Sequence, residues 1–138
     1  MYSVTKIFQV PMGHRLSKHS GKCKNIHGHN LKIEVTIQRK HLDENDMVMD
    51  FSDLKKAVGN IIESWDHGMF LNTTDKELSG IKEHCILHQF PSDPTAEVLC
   101  KHLFDQVDNY VKGLKCSMDV KSISIWEAED SKATYTPD

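Results

Sequence analysis

The chain has 138 residues, of which 38% are hydrophobic and 27% are charged, and its formal net charge is −3. This length and composition predict one globular domain, residues 1–138, with enough chain to bury a core. The small negative charge gives no electrostatic reason to expect binding to nucleic acid or to an anionic membrane surface. No apolar run approaches the roughly 20 residues that span a bilayer, and the N-terminus lacks a signal-peptide pattern, so we expect a cytoplasmic protein.

Two N-terminal segments alternate in the way that half-buried strands do. The apolar residues of each segment share one parity: Tyr2, Val4, Phe8, Val10 and Met12 in the first, and Leu31, Ile33, Val35 and Ile37 in the second. Polar residues occupy the other parity of the second segment. This pattern predicts a pair of antiparallel strands with one face covered.

Two amphipathic helices are predicted next. Apolar residues recur at three- and four-residue steps from Phe51 to Trp65, and Asp50 or Ser52 could cap that helix. The second helix is predicted to open at Asp93-Pro94, with Asp93 as the N-cap and proline at the first helical position. Its apolar stripe continues to Val107 and includes Cys100, which we interpret as a core residue.

The C-terminal part completes the fold prediction. Residues 85–90 are predicted to form a short extended piece, and strands are predicted over 120–127 and 133–135. The order ββααββ indicates an α+β protein, with an antiparallel four-stranded sheet and two helices on one face.

Three histidines stand out on this frame. His27 and His29 are two residues apart, so their side chains point to the same face of a strand and continue the buried parity of that strand. His14 continues the buried parity of the neighbouring strand, and Gly28 allows another backbone or a substrate to come close. Three converging imidazoles with a fourth position open are typical of a catalytic zinc site.

The alternative is that the histidine pair arises by chance, because the chain has nine histidines. Apart from these three and His67, the other five have no comparable constellation and are assigned to the surface or to core positions: His19, His41, His84, His88 and His102.

Cys23 lies four residues before the histidine pair. A thiol close to a divalent cation has a lowered pKa and can act as a base or nucleophile. Cys23 could equally be a fourth ligand, which would make a closed structural site. The other three cysteines form no Cys-x-x-Cys pair, so in a reducing compartment we expect free thiols.

Two further acidic positions are candidates. Asp66 precedes His67, and such a carboxylate can orient an imidazole for acid–base catalysis, although His67 could instead interact with the dipole of a helix C-terminus. Glu127 shares the parity of the inward-facing residues of its strand. An inward carboxylate could bind adjacent N–H donors of a heterocycle such as a pterin or guanine edge, whereas an earlier end to the strand would leave Glu127 in solvent.

Six motifs in this order span nearly the whole chain: His14-Arg15-Leu16, Cys23-Lys24-Asn25-Ile26-His27-Gly28-His29, Met47-Val48-Met49-Asp50-Phe51, Asp66-His67, Pro94-Thr95-Ala96-Glu97 and Ile125-Trp126-Glu127. Together they resemble the 6-pyruvoyl-tetrahydropterin synthase superfamily. The spacing from the cysteine to the histidines resembles the 6-carboxy-5,6,7,8-tetrahydropterin synthase branch of queuosine biosynthesis. The chain departs from the family at Asp46, where glycine is common, and in a slightly longer interval after His67.

The resemblance implies a role for each of these residues. His14, His27 and His29 would hold Zn²⁺, Cys23 would be the base, and Asp66 with His67 would transfer protons. Thr95 and Glu127 would hold the pterin ring. The implied fold is the T-fold, or tunnelling fold, whose sheets close into a barrel in a homo-oligomer. That oligomer is usually a hexamer of two trimers, with active sites between subunits.

The implied reaction converts 7,8-dihydroneopterin triphosphate into 6-carboxytetrahydropterin, acetaldehyde and triphosphate. Zinc would act as a Lewis acid on the side-chain hydroxyls of the substrate. A 6-pyruvoyl-tetrahydropterin synthase of tetrahydrobiopterin biosynthesis is the alternative within the family. A non-catalytic zinc- or pterin-binding protein is the alternative of another class.

Overall fold

The computed structural model describes all residues, 1–138, as eight principal elements. Strands β1 (Tyr2–His14) and β2 (His27–Arg39) are followed by helix α1 (Phe51–Glu63), strands β3 (Gly68–Asn72) and β4 (Ile86–Phe90), helix α2 (Ala96–Gly113), and strands β5 (Asp119–Ala128) and β6 (Ser131–Tyr135). Single 3₁₀ turns lie at Lys22–Lys24 and Ile81–Glu83. The α+β class and the order of the four predicted strands and two helices are confirmed.

The sheet has six strands rather than four, in the order β4-β3-β1-β2-β5-β6. The antiparallel part, β1-β2-β5-β6, is the predicted sheet. Strands β3 and β4 add a parallel extension, because β3 pairs in parallel with the end of β1 and β4 pairs in parallel with β3. The prediction missed β3, whose sequence Gly-Met-Phe-Leu-Asn is buried at four of its five positions and therefore lacks alternation.

One hydrophobic core lies between the sheet and the two helices. From the sheet it takes the alternating residues of β1, β2 and β5, such as Ile33 and Ile125, which are fully buried. Leu54 of α1 and Leu103 of α2 pack into the same cluster, which places both helices on one face. No helix in the structure combines the length and the apolar character needed to cross a membrane.

Both helices begin at a side-chain cap. Of the two predicted candidates, Asp50 caps α1, and it accepts a hydrogen bond from the Ser52 backbone N–H. The predicted cap of α2 is wrong: Thr95, rather than Asp93, caps it and accepts from the Val98 N–H at 3.3 Å. Both residues are good caps by type, but Asp93 is occupied with partners from other parts of the chain.

Candidate active site

Strand pairing brings the three candidate histidines together. His14 pairs directly with His27 across β1 and β2, and His29 lies beside Met12, one pair further along the same face. Their ligand nitrogens all lie within 4.8 Å of one another, and the ring centroids are 4.5 to 5.1 Å apart. We call these three residues the histidine cluster.

Gly28 permits the close approach of β2 to β1, because a Cβ built at Gly28 would lie 2.9 Å from the carbonyl oxygen of Met12. Real Cβ atoms essentially never come so close to a backbone oxygen. The glycine between the two histidines is therefore required by the close pairing of β1 and β2.

Backbone carbonyls fix two of the three rings. The Nδ1–H of His14 donates to the Pro94 carbonyl at 2.8 Å, and the Nδ1–H of His27 donates to the Asn25 carbonyl at 2.8 Å. In such a tautomer the Nε2 lone pair is free to bind a cation. Indeed, Nε2 of His14 and Nε2 of His29 are buried and have no hydrogen-bond partner.

Burial disfavours the protonated form of His14, whose side chain is 1% exposed. Desolvation lowers the pKa of His14 below its ordinary value, and the hydrogen bond to Pro94 offsets this only in part. A neutral imidazole is the form that ligates a metal. The orphaned nitrogens and the neutral ring thus fit a divalent cation with a preference for nitrogen ligands.

Glu127 faces the histidine cluster from β5, which continues to Ala128. Its carboxylate oxygens lie 4.0 Å from Nε2 of His14 and 3.9 Å from Nε2 of His29. The side chain is half-buried, so one part of the carboxylate remains accessible from solvent. This is the geometry of an acceptor at the wall of a site rather than of a freely solvated side chain.

Thr95 and Glu127 line one cavity of about 330 Å³, together with Leu16 and Lys132. The cavity lies where the start of α2 meets the ends of β5 and β6. The hydroxyl of Thr95 already accepts the capping hydrogen bond from Val98, which leaves its O–H free to donate. The structure therefore places both candidate substrate-binding residues around a single space.

Cys23 lies in the loop that joins the two strands of the histidine cluster, within the 3₁₀ turn Lys22–Lys24. It is a free, half-buried thiol, and its backbone carbonyl accepts a hydrogen bond from the Leu16 N–H at 2.9 Å. The group of clustered ligand atoms consists of the three histidines and does not include Cys23. A closed four-ligand arrangement is thus not formed in this structure.

Asp66 and His67 form a hydrogen-bonded dyad away from the histidine cluster. The Nδ1–H of His67 donates to the Asp66 carboxylate at 2.7 Å, and the two side chains are 79% and 47% exposed, respectively. His67 has a positive φ of 58° and is held by its N–H, which donates to the Pro11 carbonyl at 2.9 Å. Asp66 borders a separate cavity of about 550 Å³ between α1 and β1.

Sequence reasoning missed the network around Asp93, which is only 8% exposed. Its carboxylate accepts hydrogen bonds from the Ser17 hydroxyl at 2.6 Å, the Lys18 N–H at 2.8 Å and the Asn72 amide at 3.1 Å. In the sequence, the only feature that marks this residue is an acidic side chain directly before Pro94, and that pattern predicts a helix cap. Arg15, another buried charge, pairs with Asp75 at 2.6 Å.

The five histidines outside the histidine cluster and the Asp66–His67 dyad lie at the surface or among core side chains. His88 and His102 pack edge-on against Phe70 and Phe90, respectively, and burial lowers the pKa of His102. His19 is exposed, and its ring accepts a hydrogen bond from the Gly21 N–H.

Comparison with known proteins identifies relatives along the whole chain. The family model described as 6-pyruvoyl tetrahydropterin synthase matches residues 3–138. A 6-carboxy-5,6,7,8-tetrahydropterin synthase from Aquifex aeolicus is 32% identical, with 97% of each chain covered. One from Haemophilus influenzae is 31% identical, with 98% of this chain and 99% of the relative covered.

Solved structures share the fold at lower identity. An uncharacterized protein from Wolinella succinogenes superposes with a TM-score of 0.83 at 20% identity and covers 99% of this chain and 98% of its own. The 6-pyruvoyl tetrahydropterin synthase of Caenorhabditis elegans superposes with a TM-score of 0.71 at 21% identity, with 99% and 96% covered. These likenesses confirm the T-fold. Together with the sequence matches along its length, they show that the chain belongs to the 6-pyruvoyl tetrahydropterin synthase family.

Proposed function

We propose that this protein is a zinc-dependent 6-carboxy-5,6,7,8-tetrahydropterin synthase, a lyase that acts on 7,8-dihydroneopterin triphosphate. With one water, that substrate would give 6-carboxytetrahydropterin, acetaldehyde and triphosphate. The observation that carries the proposal is the histidine cluster, with two orphaned Nε2 atoms and the Glu127 carboxylate about 4 Å away. The choice of the carboxy branch rests on the names of the most similar relatives described above.

His14, His27 and His29 would hold the zinc ion. The bound ion supplies Lewis acidity toward hydroxyl groups of the substrate side chain and so acidifies the adjacent C–H. The neutral, carbonyl-anchored ring of His14 favours such binding, since no proton must be displaced at neutral pH.

Glu127 and Thr95 would bind the pterin ring in the cavity that they share. A carboxylate can accept two parallel hydrogen bonds from the adjacent N–H groups of a 2-amino-4-oxo-pterin edge. The Thr95 hydroxyl retains a donor for a ring acceptor. This would orient the pterin so that its side chain reaches the histidine cluster.

Cys23 would act as the base that removes the substrate proton, and Asp66 with His67 would relay protons. Cys23 lies in the loop between two of the proposed ligand histidines. A cation bound close to its thiol would favour the thiolate form. The Asp66 carboxylate accepts the hydrogen bond from Nδ1 of His67 and fixes the orientation of the ring, which is what acid–base catalysis by an imidazole requires.

The exposed dyad favours an oligomer in which Asp66 and His67 complete the site of a neighbouring copy. The sheet has hydrogen-bonding edges for such assembly: β3 covers β1 only at Met12–His14, and β6 is an outer strand. We propose a homohexamer of two trimers with sites between subunits. We also propose that the protein acts in the cytoplasm, in queuosine biosynthesis.

The decisive experiment incubates the purified zinc-loaded protein with 7,8-dihydroneopterin triphosphate and measures acetaldehyde, triphosphate and pterin products. Acetaldehyde released in equal amount with triphosphate is the expected result. Triphosphate without acetaldehyde would assign the 6-pyruvoyl reaction instead. If the protein binds zinc or pterin but converts no substrate, it is a non-catalytic binding protein.

The Cys23→Ala variant separates a catalytic thiol from a structural ligand. We expect turnover to be lost while zinc remains bound, since the three histidines suffice as ligands. Loss of zinc in this variant would indicate a closed structural site and contradict the enzyme proposal.

A further inference from the structure

A single short segment, Asp93-Pro94, contacts both His14 of the histidine cluster and the loop that carries Cys23. The Pro94 carbonyl accepts the hydrogen bond from Nδ1 of His14, while the Asp93 carboxylate binds Ser17 and the backbone of Lys18. Ser17 and Lys18 belong to the loop of residues 15–26, which leaves His14 and returns at His27. That loop carries Cys23.

Hydrogen bonds, joined by the backbone of residues 16–18, link Asp93 to Cys23. Asp93 fixes residues 17 and 18, and the neighbouring N–H of Leu16 donates to the carbonyl of Cys23 at 2.9 Å. This last hydrogen bond joins the two sides of the loop, at Leu16 and at Cys23, the residue that bears the thiol.

The carboxylate is itself rigidly supported. Asn72 donates to Asp93, and the amide oxygen of Asn72 accepts hydrogen bonds from the N–H and hydroxyl of Thr74, which fixes the orientation of its amide group. Three donors thus converge on a buried carboxylate that has no cationic partner among them. A buried carboxylate is costly unless such donors satisfy it, so the site holds the charged form and orders the donors around it.

We propose that Asp93 is a positioning residue, which holds the loop that carries Cys23 in a fixed place beside the histidine cluster. Its consequence for catalysis rests on the proposed function, because that consequence requires Cys23 to act as the base. The ordering of the loop does not require it. Asp93 acts through Ser17, Lys18 and Leu16, and it touches neither the cluster nor the thiol.

The test measures the alkylation of Cys23 by iodoacetamide in the full, zinc-loaded chain, resolved by peptide mass spectrometry. The exposed thiol of Cys116 serves as an internal reference. Asp93→Asn replaces one acceptor oxygen by an amide donor and so breaks at least one of the three hydrogen bonds. We expect the ratio of Cys23 to Cys116 alkylation to rise by about tenfold or more, because charge-assisted hydrogen bonds restrain the loop.

Ser17→Ala is the second variant, and it removes one donor while leaving Asp93 in place. We expect a smaller rise, about threefold, in the same ratio. Because this change deletes only one hydroxyl, we expect the variant to fold, and it tests the proposal even if Asp93→Asn does not fold. The matched control is Asp43→Asn, which removes the same charge from a carboxylate that accepts the N–H groups of Asn45 and Met47 in a different loop. The control should leave the ratio at its original value.

Zinc content and kinetics distinguish positioning from general damage. Both test variants should keep their zinc, because the histidines and the Pro94 carbonyl are unchanged. If the pterin reaction occurs, kcat should fall by about tenfold or more in Asp93→Asn, with KM within about threefold. Should the original protein show no turnover, the alkylation ratio still tests the loop, and only the catalytic role of Cys23 fails.

Three results would overturn the proposal. The first is a ratio that stays unchanged or falls in the variants, and the second is an equal rise in Asp43→Asn. The third is loss of zinc together with the rise, which would assign Asp93 to the support of His14 rather than of the loop.

Discussion

The histidine cluster and the Asp66–His67 dyad differ in how completely one chain builds them. The cluster has two rings fixed by backbone carbonyls, orphaned Nε2 atoms and a carboxylate facing it. The dyad is exposed, touches a different cavity and has only its own internal hydrogen bond between side chains. Under the proposed function, a single chain would hold the metal ion, whereas proton transfer by the dyad would need another copy of the chain.

The largest expected effect comes from removing a cluster ligand. His29→Ala should weaken zinc binding by more than about 100-fold, because loss of an outer partner of a ligand alone costs on the order of 10- to 100-fold. Turnover should fall to the background rate. Zinc stoichiometry after dialysis measures the first effect, and His41→Ala, a change at an exposed histidine, is the control. Full zinc retention in His29→Ala would break the assignment of the cluster as the metal site.

His67→Ala should lower kcat by about 10²- to 10⁴-fold, the range that general acid–base groups contribute. Zinc content should stay the same, since the dyad lies outside the cluster. Steady-state kinetics with metal analysis checks both, and His84→Ala supplies an exposed control. An equal loss of zinc and activity would show that the two regions are not separable.

Subunit mixing sharpens the comparison further. If Cys23 and His67 of one site come from different copies, Cys23→Ala and His67→Ala chains that are unfolded together and refolded should regain activity. Random one-to-one mixing would restore roughly a quarter of the sites in a symmetric assembly. If the refolded mixture assembles normally but regains no activity, Cys23 and His67 of each site come from the same chain.

Asp93 should make stability depend on pH in a specific direction. Burial raises the pKa of Asp93, but the hydrogen bonds from Ser17, Lys18 and Asn72 outweigh it and hold the pKa below the ordinary value of 3.8. A carboxyl group with a depressed folded pKa stabilises fully above its unfolded pKa, and this stabilisation is lost as the pH falls through the folded pKa.

Asp93→Asn should therefore lower the free energy of unfolding by about 2 kcal/mol at neutral pH. The difference should shrink as the pH falls below about 3.8. Denaturant titrations at several pH values measure this. A difference that stays constant down through that range would contradict the assigned charge state.

Thr95 gives the smallest expected effect. Thr95→Ala removes the cap of α2 and should cost about 1 kcal/mol of stability. If its hydroxyl also binds the pterin, KM should rise by about fivefold. Thr95→Ser keeps the hydroxyl and should retain both properties. A stability loss without any change in KM would limit Thr95 to its capping role.

Much of the fold was predictable, because the alternation of apolar residues in strands and their periodicity in helices are visible in short stretches of sequence. The parity of β1 and β2 predicted that His14, His27 and His29 share one face, and the structure adds the register that pairs His14 with His27. Strand β3 has no comparable signal, because burial on both faces removes the alternation.

Local sequence also could not decide whether Asp93 or Thr95 caps α2. Both are capping types within three residues, and the partners that engage Asp93, Ser17 and Asn72, lie 76 and 21 residues away in sequence. Nor could the sequence place the Asp66–His67 dyad relative to the histidine cluster, because their positions within the chain depend on the parallel pairing of β3 with β1, which the sequence did not predict.

The glycine between the two histidines has a consequence for recognising related sequences. A His-x-His pair with any side chain at the middle position would offer the same two ligand types, but its Cβ would meet the Met12 carbonyl at 2.9 Å and push β1 away from β2. Since β1 carries the third ligand, that separation would pull His14 out of reach of the other two. In a genome search, the glycine is therefore as diagnostic as the histidines, and a pattern that ignores it would collect chains unable to assemble the triad.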